Sequence, residues 1–528
     1  MTMRFEDLGI DSRILSALNE MGFEEPTPIQ AKCVPIVLEG RDVLGQAQTG
    51  TGKTAAFGIP LIQKVDERSR NVQALILTPT RELAIQVAGE IRKIGKQKNI
   101  RPLPIYGGQL IGHQIRALNQ GAQIVVGTPG RILDHLRRNT LKLDDVKTLI
   151  LDEADEMLDM GFIEDIEKII KSTPENRQTL LFSATMPYEI KHLSKKYMRN
   201  LTNISIAKGD VTVPLIEQLY YKVLERDKLE SFCRILDQEE LELGIVFCRT
   251  KKGVDELADT LQDRGYLAEG LHGDLSQAQR DKVMHKFRDG SIELLIATDV
   301  AARGIDVENV SHVINYDIPQ DPESYVHRVG RTGRAGRKGI AITLVTPREI
   351  KQLLAIQKQT KVTLNSKEIP SLEEVANKQK QQWKEKLTDC IEKNDLQNYI
   401  ESLEDLINRY GAVNVAAAAM KITVDSTSNK IEMQTYDFGD TGGEKGMVRF
   451  FINVGKNGEF TPKYVIELLK EHAGIDTNFV GKINIFDRFT FVEVAEDQAP
   501  FVYEAFRNTR VKGKRINVEP AKPRSFNR

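Results

Sequence analysis

A glycine-rich segment near the start of the chain has the composition of a phosphate-binding loop. Residues Ala47–Thr54 read Ala-Gln-Thr-Gly-Thr-Gly-Lys-Thr and follow the apolar run Asp42–Leu44. Glycines allow successive backbone N–H groups to face one anion, and the helix predicted next adds the positive end of its dipole. Lys53 is expected to reach the β and γ phosphates, and Thr54 to offer a hydroxyl to Mg²⁺. A strand-to-helix turn without a ligand would share this composition.

A group of carboxylates follows another apolar run. Asp152-Glu-Ala-Asp155 comes directly after Leu149–Leu151, and the carboxyl ends of strands are where open α/β sheets bind ligands. Asp152 is predicted to hold Mg²⁺, directly or through water, and Glu153 to orient or deprotonate the attacking water. An acidic helix N-terminus is the alternative interpretation, but it leaves the accompanying phosphate loop unexplained.

A cluster of arginines lies in the second half of the chain. Residues His327–Arg337 read His-Arg-Val-Gly-Arg-Thr-Gly-Arg-Ala-Gly-Arg. Planar guanidinium groups stabilise a transferring phosphate, so Arg331 and Arg334 are candidate arginine fingers. The same residues could form a general RNA-phosphate patch. If they are fingers, ATP binds fully only when two domains close on it, so nucleotide state could drive a conformational cycle.

Short apolar runs alternate with helical patterns over two stretches of the chain. The first stretch holds Asp42–Leu44, Ala74–Leu77, Ile124–Val126, Thr148–Leu151 and Gln178–Phe182. The second holds Gly244–Phe247, Ile292–Ala297, His312–Tyr316 and Ile340–Val345. Continuous apolar strands are typical of parallel sheets covered by helices on both faces. The sequence predicts two tandem α/β parallel-sheet domains, 1–206 and 215–365, joined by a linker at 207–214.

A helical region is predicted at 366–424. Trp383, Leu387 and Ile391 recur at helical spacing, and this apolar stripe requires a cover. Either the second α/β domain or a second copy of the chain could supply it.

A small α+β domain is predicted at 447–528, after a flexible linker at 425–446. Its order is βαββαβ, with the last strand at Arg515–Val518. From Arg507 to the end, eight Lys and Arg residues stand against one acid, which indicates a basic tail.

The composition excludes several classes of protein. The chain has 528 residues, with 74 Lys and Arg against 75 Asp and Glu, a net charge of −1. Any nucleic-acid surface must therefore be local. No apolar run reaches the roughly 18 residues of a membrane span, and the start of the sequence has no signal-like apolar region. The four cysteines are widely spaced, so a cytoplasmic location without disulfides or zinc is expected.

Taken in order, these motifs resemble those of the DEAD-box ATP-dependent RNA helicases of superfamily 2, over about residues 5 to 345. The resemblance implies two RecA-like domains that bind ATP with Mg²⁺. Gly22–Gln30 is similar to the family's Q motif, so Gln30 would read adenine and Phe5 would stack nearby. The ATP contacts are completed by Gln48, Thr49, Gly50, Thr51, Gly52 and Asp306. Ser183-Ala-Thr185 resembles motif III and would couple the ATP site to RNA through Asp155, together with His327.

The resemblance also implies that RNA is held mainly through its backbone, without reading of its sequence. The residues concerned are Pro79, Thr80, Arg81, Gly107, Gly108, Thr128, Gly130, Arg131, Arg249, Gln277, Arg280 and Thr298.

The last domain resembles the RRM-like module of bacterial DEAD-box proteins of the DbpA and DeaD/CsdA type. Phe489 and Phe491 occupy aromatic positions of the RNP1 pattern, whereas Asp487 and Arg488 replace its base and its glycine. Base stacking there departs from the usual pattern, and Lys512, Lys514 and Arg515 are predicted to bind RNA backbone. The 366–424 region is similar to the dimerisation region of cold-shock members, which implies a possible homodimer.

The predicted function is RNA-stimulated ATP hydrolysis coupled to local unwinding of structured RNA. The RNA would be rRNA or mRNA, and the resemblance implies ribosome-assembly or RNA-degradation machinery as partners. An ATP-regulated RNA clamp or scaffold, with incidental unwinding, remains an alternative. Translocation on DNA is disfavoured by the Q motif and by the Asp-Glu-Ala-Asp sequence.

Overall fold

The computed structural model describes residues 3–47, 51–205, 216–302, 305, 307, 309–333, 337–393, 396–426, 436–507, 509–511 and 514–522. The predicted linker 207–214 lies outside these residues. So do six predicted site residues: Gln48, Thr49, Gly50, Asp306, Arg334 and Lys512.

The first sheet has seven strands in the order β3-β4-β2-β5-β6-β1-β7. The paired strands run parallel, for example Val43–Gln46 beside Gln178–Ser183, and apolar clusters cover both faces. The strands are β1 Val43–Gln46, β2 Ala74–Leu77, β3 Pro102–Ile105, β4 Ile124–Gly127, β5 Thr148–Leu151, β6 Gln178–Ser183 and β7 Thr202–Ser205. The helices are α1 Ser12–Glu20, α2 Pro28–Leu38, α3 Lys53–Lys64, α4 Arg81–Ile94, α5 Ile111–Asn119, α6 Pro129–Arg137, α7 Ala154–Asp159, α8 Ile163–Lys171 and α9 Tyr188–Tyr197.

The second sheet also has seven strands, in the order β10-β11-β9-β12-β13-β8-β14. Its strands are β8 Ile216–Lys222, β9 Gly244–Phe247, β10 Ala268–Leu271, β11 Leu294–Ala297, β12 His312–Asn315, β13 Gly339–Val345 and β14 Asn365–Lys367. Its helices are α10 Lys228–Gln238, α11 Lys251–Asp263, α12 Gln277–Arg288, α13 Asp299–Ala302, α14 Pro322–Val329 and α15 Ile350–Thr360. The two predicted parallel-sheet domains are confirmed.

The helical region consists of α16 Leu372–Glu392, α17 Gln397–Tyr410 and α18 Ala412–Ser426. A capping box at Ser371 and Glu374 fixes the start of α16. The first part of α16 packs on α10, where Val375 is buried and Gln379 donates to Asp237 at 3.3 Å. The stripe beyond it stays open, because Leu387 is 49% exposed and Ile391 63% exposed.

The last domain is a four-stranded antiparallel sheet with two helices. Its order is β16-β17-β15-β20, and β18 and β19 form a separate hairpin. The elements are β15 Met447–Ile452, α19 Pro462–Ala473, β16 Val480–Ile485, β17 Thr490–Ala495, α20 Ala499–Phe506, β18 Arg510–Val511, β19 Lys514–Arg515 and β20 Val518–Pro520. The predicted last strand, 515–518, was therefore wrong. Residues 514–515 fold back on 510–511, and the strand that completes the sheet starts at Val518, whose side chain is buried in the core.

The predicted linker 425–446 was also wrong in part. Residues 425–426 belong to α18, and 427–435 lie outside the described residues. The ring of Phe438 packs 5.8 Å from that of Phe450, and the Thr441 hydroxyl accepts a hydrogen bond from the backbone N–H of Arg449 at 2.9 Å. This ring contact and this hydrogen bond make residues from 436 onward part of the last domain.

The chain divides into two compact units. The first comprises Met1–Glu217, Gly270–Ser311 and Val326–Gly339, and the second comprises Gln218–Glu269, His312–Tyr325 and Ile340–Arg528. Residues 270–311 and 326–339, which carry elements of the second sheet domain, are thus grouped with the first unit. They carry Arg280 and His327, whose side chains form ion pairs with carboxylates of that unit.

Candidate ATP and RNA sites

The described part of the phosphate loop leads directly into α3. Gly52 is the N-cap of this helix, with φ of +87°, and the Gln30 amide lies where a Cβ would be placed. Both features require glycine. Lys53 is 6% exposed, and its ammonium has no hydrogen-bond partner among the described residues. A buried, unpartnered cation at a helix N-terminus is suited to an anion such as phosphate.

Residues of the Q-motif segment form hydrogen bonds with the backbone of this loop. Gln30 donates from Nε2 to the Gly52 carbonyl at 3.2 Å and accepts from the Thr27 N–H at 2.9 Å. The Thr27 hydroxyl donates to the Thr51 carbonyl at 2.9 Å. Phe5 is buried and packs 6.0 Å from Phe23, ring to ring. Gln30 therefore links the start of α2 to the loop, whereas Phe5 belongs to the core.

The predicted magnesium carboxylates follow β5, as expected. Asp152 is buried, and that burial raises the pKa of its carboxyl to about 7 even though the charge of Lys53 acts in the opposite direction. Glu153 caps α7 with a φ of +50°, a left-handed conformation that is strained for glutamate. One of its carboxylate oxygens, Oε2, is buried without a hydrogen-bond partner among the described residues. A strained backbone and a buried polar atom without a hydrogen-bond partner are both typical of functional sites.

Asp155 connects α7 to the end of β6. Its Oδ2 accepts from the N–H of Ala184 at 3.0 Å, the N–H of Thr185 at 2.8 Å and the Thr185 hydroxyl at 3.0 Å. The Ser183 hydroxyl instead donates to the Thr185 carbonyl at 2.6 Å. The predicted link of the Ser-Ala-Thr segment to Asp155 thus runs through Ala184 and Thr185, and Ser183 supports the turn.

His327 reaches the same carboxylates within the first unit. Its Nδ1 pairs with Glu156, and its Nε2 lies 3.8 Å from Oδ2 of Asp155. Burial would lower the pKa of His327, but the hydrogen bond that its ring donates to Glu156 and the charges of Glu156, Asp155 and Glu153 together raise it above its usual value. The imidazole therefore lies against the acidic side chains of α7, which favour its protonated form.

The described part of the arginine cluster is tightly fixed. Arg331 is buried and donates to the main-chain carbonyls of Ile305 at 3.2 Å and His327 at 3.3 Å. Arg328 forms a bidentate pair with Asp299, at 2.5 and 2.7 Å. The sequence did not single out Arg328 or Asp299, since nothing local marks a pair separated by 29 residues.

Several predicted RNA-contact residues lie at the starts of α4 and α6. The hydroxyl of Thr80 caps α4 by accepting from the N–H of Leu83 at 3.2 Å. Gly108 has a φ of +90°, which favours glycine, and the guanidinium of Arg81 lies beside its Cα. Arg81 also donates to Gln277 Oε1 at 3.1 Å. Pro79 is buried and Gly107 is half-buried.

The predicted RNA-contact residues at the start of α6 are also held in place by neighbouring side chains. Thr128 is the N-cap of α6, and Gly130 is exposed in its first turn. Arg131 donates to Gln114 Oε1 at 2.9 Å and to the Gln109 carbonyl at 2.6 Å. Gln114 also contacts the ring of His135 at 3.0 Å. Gln109 and Gln114, which the sequence analysis missed, fix the arginine predicted to meet phosphate.

Arg280, which the sequence predicts to contact RNA, is bound by neighbouring groups of the protein. Its guanidinium is buried and pairs with Glu82 at 2.6 and 2.9 Å, and it also donates to the carbonyls of His272 and Ala301 at 3.4 Å each. A guanidinium with four such bonds positions its neighbours and has few donors left for a strand. Thr298 is buried, and the exposed Arg249 pairs with Glu349 at 3.0 Å.

The open face of the last sheet carries an aromatic cluster. The ring of Phe489 lies 4.7 Å from that of Phe486, 5.6 Å from Phe491 and 5.7 Å from Phe451. The guanidinium of Arg449 lies 4.3 Å from the Phe491 ring. Phe450 and Ile452 point into the core, so strand alternation places Phe451 on the opposite face. This face can stack unpaired bases.

Four family models match the chain. They are DEAD/DEAH box helicase at residues 27–193, helicase conserved C-terminal domain at 227–336, RNA helicase DeaD dimerization domain at 370–434 and DbpA RNA binding domain at 449–520. Together with the two parallel sheets and the phosphate loop, they define a two-domain nucleotide-dependent helicase.

Curated relatives agree. The chain is 53% identical to the DEAD-box ATP-dependent RNA helicase CshA of Bacillus subtilis (strain 168), over 80% of this chain and 85% of that protein. It is 54% identical to the ATP-dependent RNA helicase CshA of Listeria monocytogenes, over 79% of this chain and 81% of that protein. The chain belongs to the DEAD-box ATP-dependent RNA helicases, and it is an enzyme of that ATP-hydrolysing class.

Solved structures show the same fold. S. cerevisiae Dbp5 bound to RNA and ADP BeF3 matches with a TM-score of 0.65 at 35% identity, over 70% of this chain and 97% of that one. The DEAD-box helicase Mss116 bound to ssRNA and UDP-BeF matches with a TM-score of 0.65 at 27% identity, over 72% of this chain and 83% of that one. The RecA-like interpretation of both sheets is confirmed.

Proposed function

We propose that the chain couples hydrolysis of ATP to local separation of RNA strands through the residues described above. The observation that carries this is a buried Lys53 ammonium without a hydrogen-bond partner whose charge acts on the buried carboxylate of Asp152, next to the buried Glu153. Lys53 would bind the β and γ phosphates, and Glu153 would orient or deprotonate the attacking water. Arg331 and Arg334 would stabilise charge that develops on the γ phosphate.

Magnesium fits the same donor set. Asp152 offers a buried carboxylate, and Thr54 offers a hydroxyl in the first turn of α3, which are oxygen ligands of the kind that Mg²⁺ prefers. When bound, the ion would neutralise phosphate charge. Asp152 would have to be ionised for this, and binding of a cation would favour its ionised form.

RNA would be gripped by its backbone along α4 and α6. Thr80, Arg81 and Arg131 are positioned by caps and by neighbouring glutamines, and such donors bind phosphates without reading bases. Asp155 ties this side to the ATP site through Thr185. Phe489 and Phe491 would add base stacking, and Lys514 and Arg515 would add backbone contacts.

A Glu153→Gln variant tests the mechanism and the alternative clamp function together. Loss of the carboxylate should abolish multiple-turnover unwinding of a short RNA duplex, while ATP-dependent binding of single-stranded RNA is retained. Multiple-turnover unwinding at the unaltered rate would contradict the role of Glu153. An unaltered protein that binds RNA with ATP yet never unwinds it would favour the clamp. Stimulation of the ATPase by RNA and not by DNA would exclude translocation on DNA.

A homodimer is proposed through the α16–α18 region. The apolar side chains left exposed there include Leu387, Ile391, Ile400, Val413 and Ile422. A stripe of this size is typical of an interface, and the matching family model is a dimerization domain.

The biological setting is proposed on coarser grounds. No helix within the described ranges combines the length and apolar content needed to cross a bilayer. We propose a cytoplasmic enzyme that acts on rRNA or mRNA, in ribosome assembly, cold adaptation or RNA decay, with the machinery of those processes as partners. ATPase assays with rRNA fragments and poly-RNA would separate a dedicated ribosomal substrate from general RNA use.

A further inference from the structure

The last domain is docked on helices of the second unit through specific contacts. Lys222 donates from Nζ to the Gly474 carbonyl at 2.7 Å, and burial lowers the pKa of this lysine. Gly474 has a φ of +62°, and a Cβ added there would lie 3.0 Å from Ile350. Arg226 lies 3.9 Å from the centre of the Tyr436 ring, and the Tyr436 hydroxyl donates to Glu504 at 3.0 Å. Cation–π contacts of this kind contribute about 0.5–2 kcal/mol.

A basic pocket lies in the seam that this docking creates. It has a volume of about 340 Å³ and is lined by Pro347, Arg348, Lys351, His472, Ala505 and Thr509. Three of these six residues are basic and none is acidic. Arg348 and Lys351 are exposed, and no hydrogen bond or ion pair to a described residue accounts for either charge. The nearest opposing charge that acts on His472 is that of Glu471.

The two sides of the pocket come from different parts of the chain. Pro347, Arg348 and Lys351 belong to the segment that leads into α15, whereas His472, Ala505 and Thr509 belong to the last domain. His472 is held in place by its contact with the Phe506 ring, at 5.4 Å between centroids. The proximity of Lys351, together with burial, lowers the pKa of His472. The two cationic side chains, Arg348 and Lys351, thus come from one side of the pocket, and the docked domain encloses them with His472, Ala505 and Thr509.

We propose that this seam pocket binds a backbone phosphate of single-stranded RNA and thereby fixes the last domain on the helicase core. The inference rests on the RNA-binding function already proposed and assigns it a second contact point. Arg348 offers a planar donor fork and Lys351 a mobile ammonium, which together suit a phosphodiester. The domain's aromatic sheet face is not the docked face, since its helices α19 and α20 pack against Pro347–Glu349. Bases could therefore stack on the sheet while the strand's backbone enters the seam.

The salt dependence of RNA binding tests this proposal in the full-length protein. Each phosphate contact with single-stranded nucleic acid contributes a slope of about −0.7 in log K against log salt. The double variant Arg348→Gln/Lys351→Gln should therefore reduce the magnitude of the slope by about 0.7 for a fluorescent single-stranded RNA. The matched control, Lys358→Gln/Lys384→Gln, also removes two charges but lies outside the pocket lining and should leave the slope within error. Equal slopes in the two double variants would overturn the proposal.

A second variant tests whether docking builds the site. Tyr436→Ala removes the contacts to Arg226 and Glu504 without changing charge, so it should weaken RNA binding in the same direction. When Tyr436→Ala is combined with Arg348→Gln/Lys351→Gln, RNA affinity should fall little further, because the phosphate site has already been lost. Fully additive losses would overturn the composite pocket. Inorganic phosphate or ATP can also be tested as a competitor of the bound fluorescent RNA. If either displaced it at a concentration 10-fold below that of competing RNA phosphate, the pocket would bind free phosphate groups and the proposal of an RNA phosphate would be overturned. RNA-stimulated ATPase of the unaltered protein tests the helicase function separately.

Discussion

At the scale of single residues, the ATP site is defined by groups that the fold leaves unsatisfied. Lys53, Asp152 and Glu153 are all buried, and the peptide of Glu153 is held in a left-handed conformation. Burying charge without a partner costs several kcal/mol, and left-handed backbone at a non-glycine residue costs about 1–2 kcal/mol. Interior residues with these features destabilise the free protein, which is expected where a ligand supplies the missing partner.

Two lysines of α3 allow a matched test of this argument. Lys53→Ala should lower the RNA-stimulated ATPase at least 100-fold, because the charge meant for phosphate is removed, while thermal stability stays the same or rises. Lys64→Ala should instead lower thermal stability and leave the ATPase almost unchanged. The Lys64 ammonium donates to Gln178 at 2.9 Å and to the Val37 carbonyl, so its loss should lower Tm by a few degrees with little change in ATPase.

ATPase rates and thermal melts on both variants check this prediction. A large drop in Tm for Lys53→Ala with normal ATPase would show that Lys53 is a structural lysine and that the phosphate loop is misassigned.

Sequence reasoning located residues that belong to local motifs and missed the partners that hold them. Lys53, Asp152 and Asp155 lie beside diagnostic neighbours in the sequence. Glu82 and Asp299 adjoin the predicted residues Arg81 and Thr298, but nothing local shows that the fold brings Arg280 and Arg328 to them from far along the chain.

At the scale of elements, strand prediction succeeded where both faces are buried. Ala74–Leu77, Thr148–Leu151 and Gly244–Phe247 were predicted with the bounds observed. β3 at Pro102–Ile105 was missed because its two prolines disguise an edge strand. β14 was missed because Asn365–Lys367 is exposed throughout, so no apolar pattern marks it.

The exposed stripe of α16–α18 predicts an oligomer. Leu387→Asp places a carboxylate on this surface, so the mass measured by light scattering at micromolar concentration should fall from about twice 59.5 kDa to 59.5 kDa. Glu385→Gln lies on the same helix, is exposed, and should leave the mass unchanged. A monomeric mass for the unaltered protein, with no effect of Leu387→Asp, would rule out this dimer.

At the scale of the whole molecule, domain boundaries were harder to predict than domains. Composition marked 425–446 as a linker, since glycine and polar residues dominate it, yet Tyr436 and Phe438 stack on each other at 5.4 Å and contact Tyr503 at 6.0 Å each. Two aromatic rings suffice to attach a polar segment to a domain, and a composition average over 22 positions hides them.

The corrected boundary makes a prediction about truncation. Deleting 436–528 removes the last domain with its aromatic attachment, so the protein should stay soluble, retain RNA-stimulated ATPase and bind single-stranded RNA with weaker affinity and a shallower salt slope. Deleting 447–528 should be worse behaved, because it leaves Tyr436 and Phe438 without Phe450 and Tyr503 to cover them. Size-exclusion profiles and RNA titrations at two salt concentrations distinguish the two truncated proteins. If the two truncated proteins were equally soluble, the domain boundary would lie at 447. If both bound RNA as tightly as the full-length protein, the last domain would be a protein adaptor.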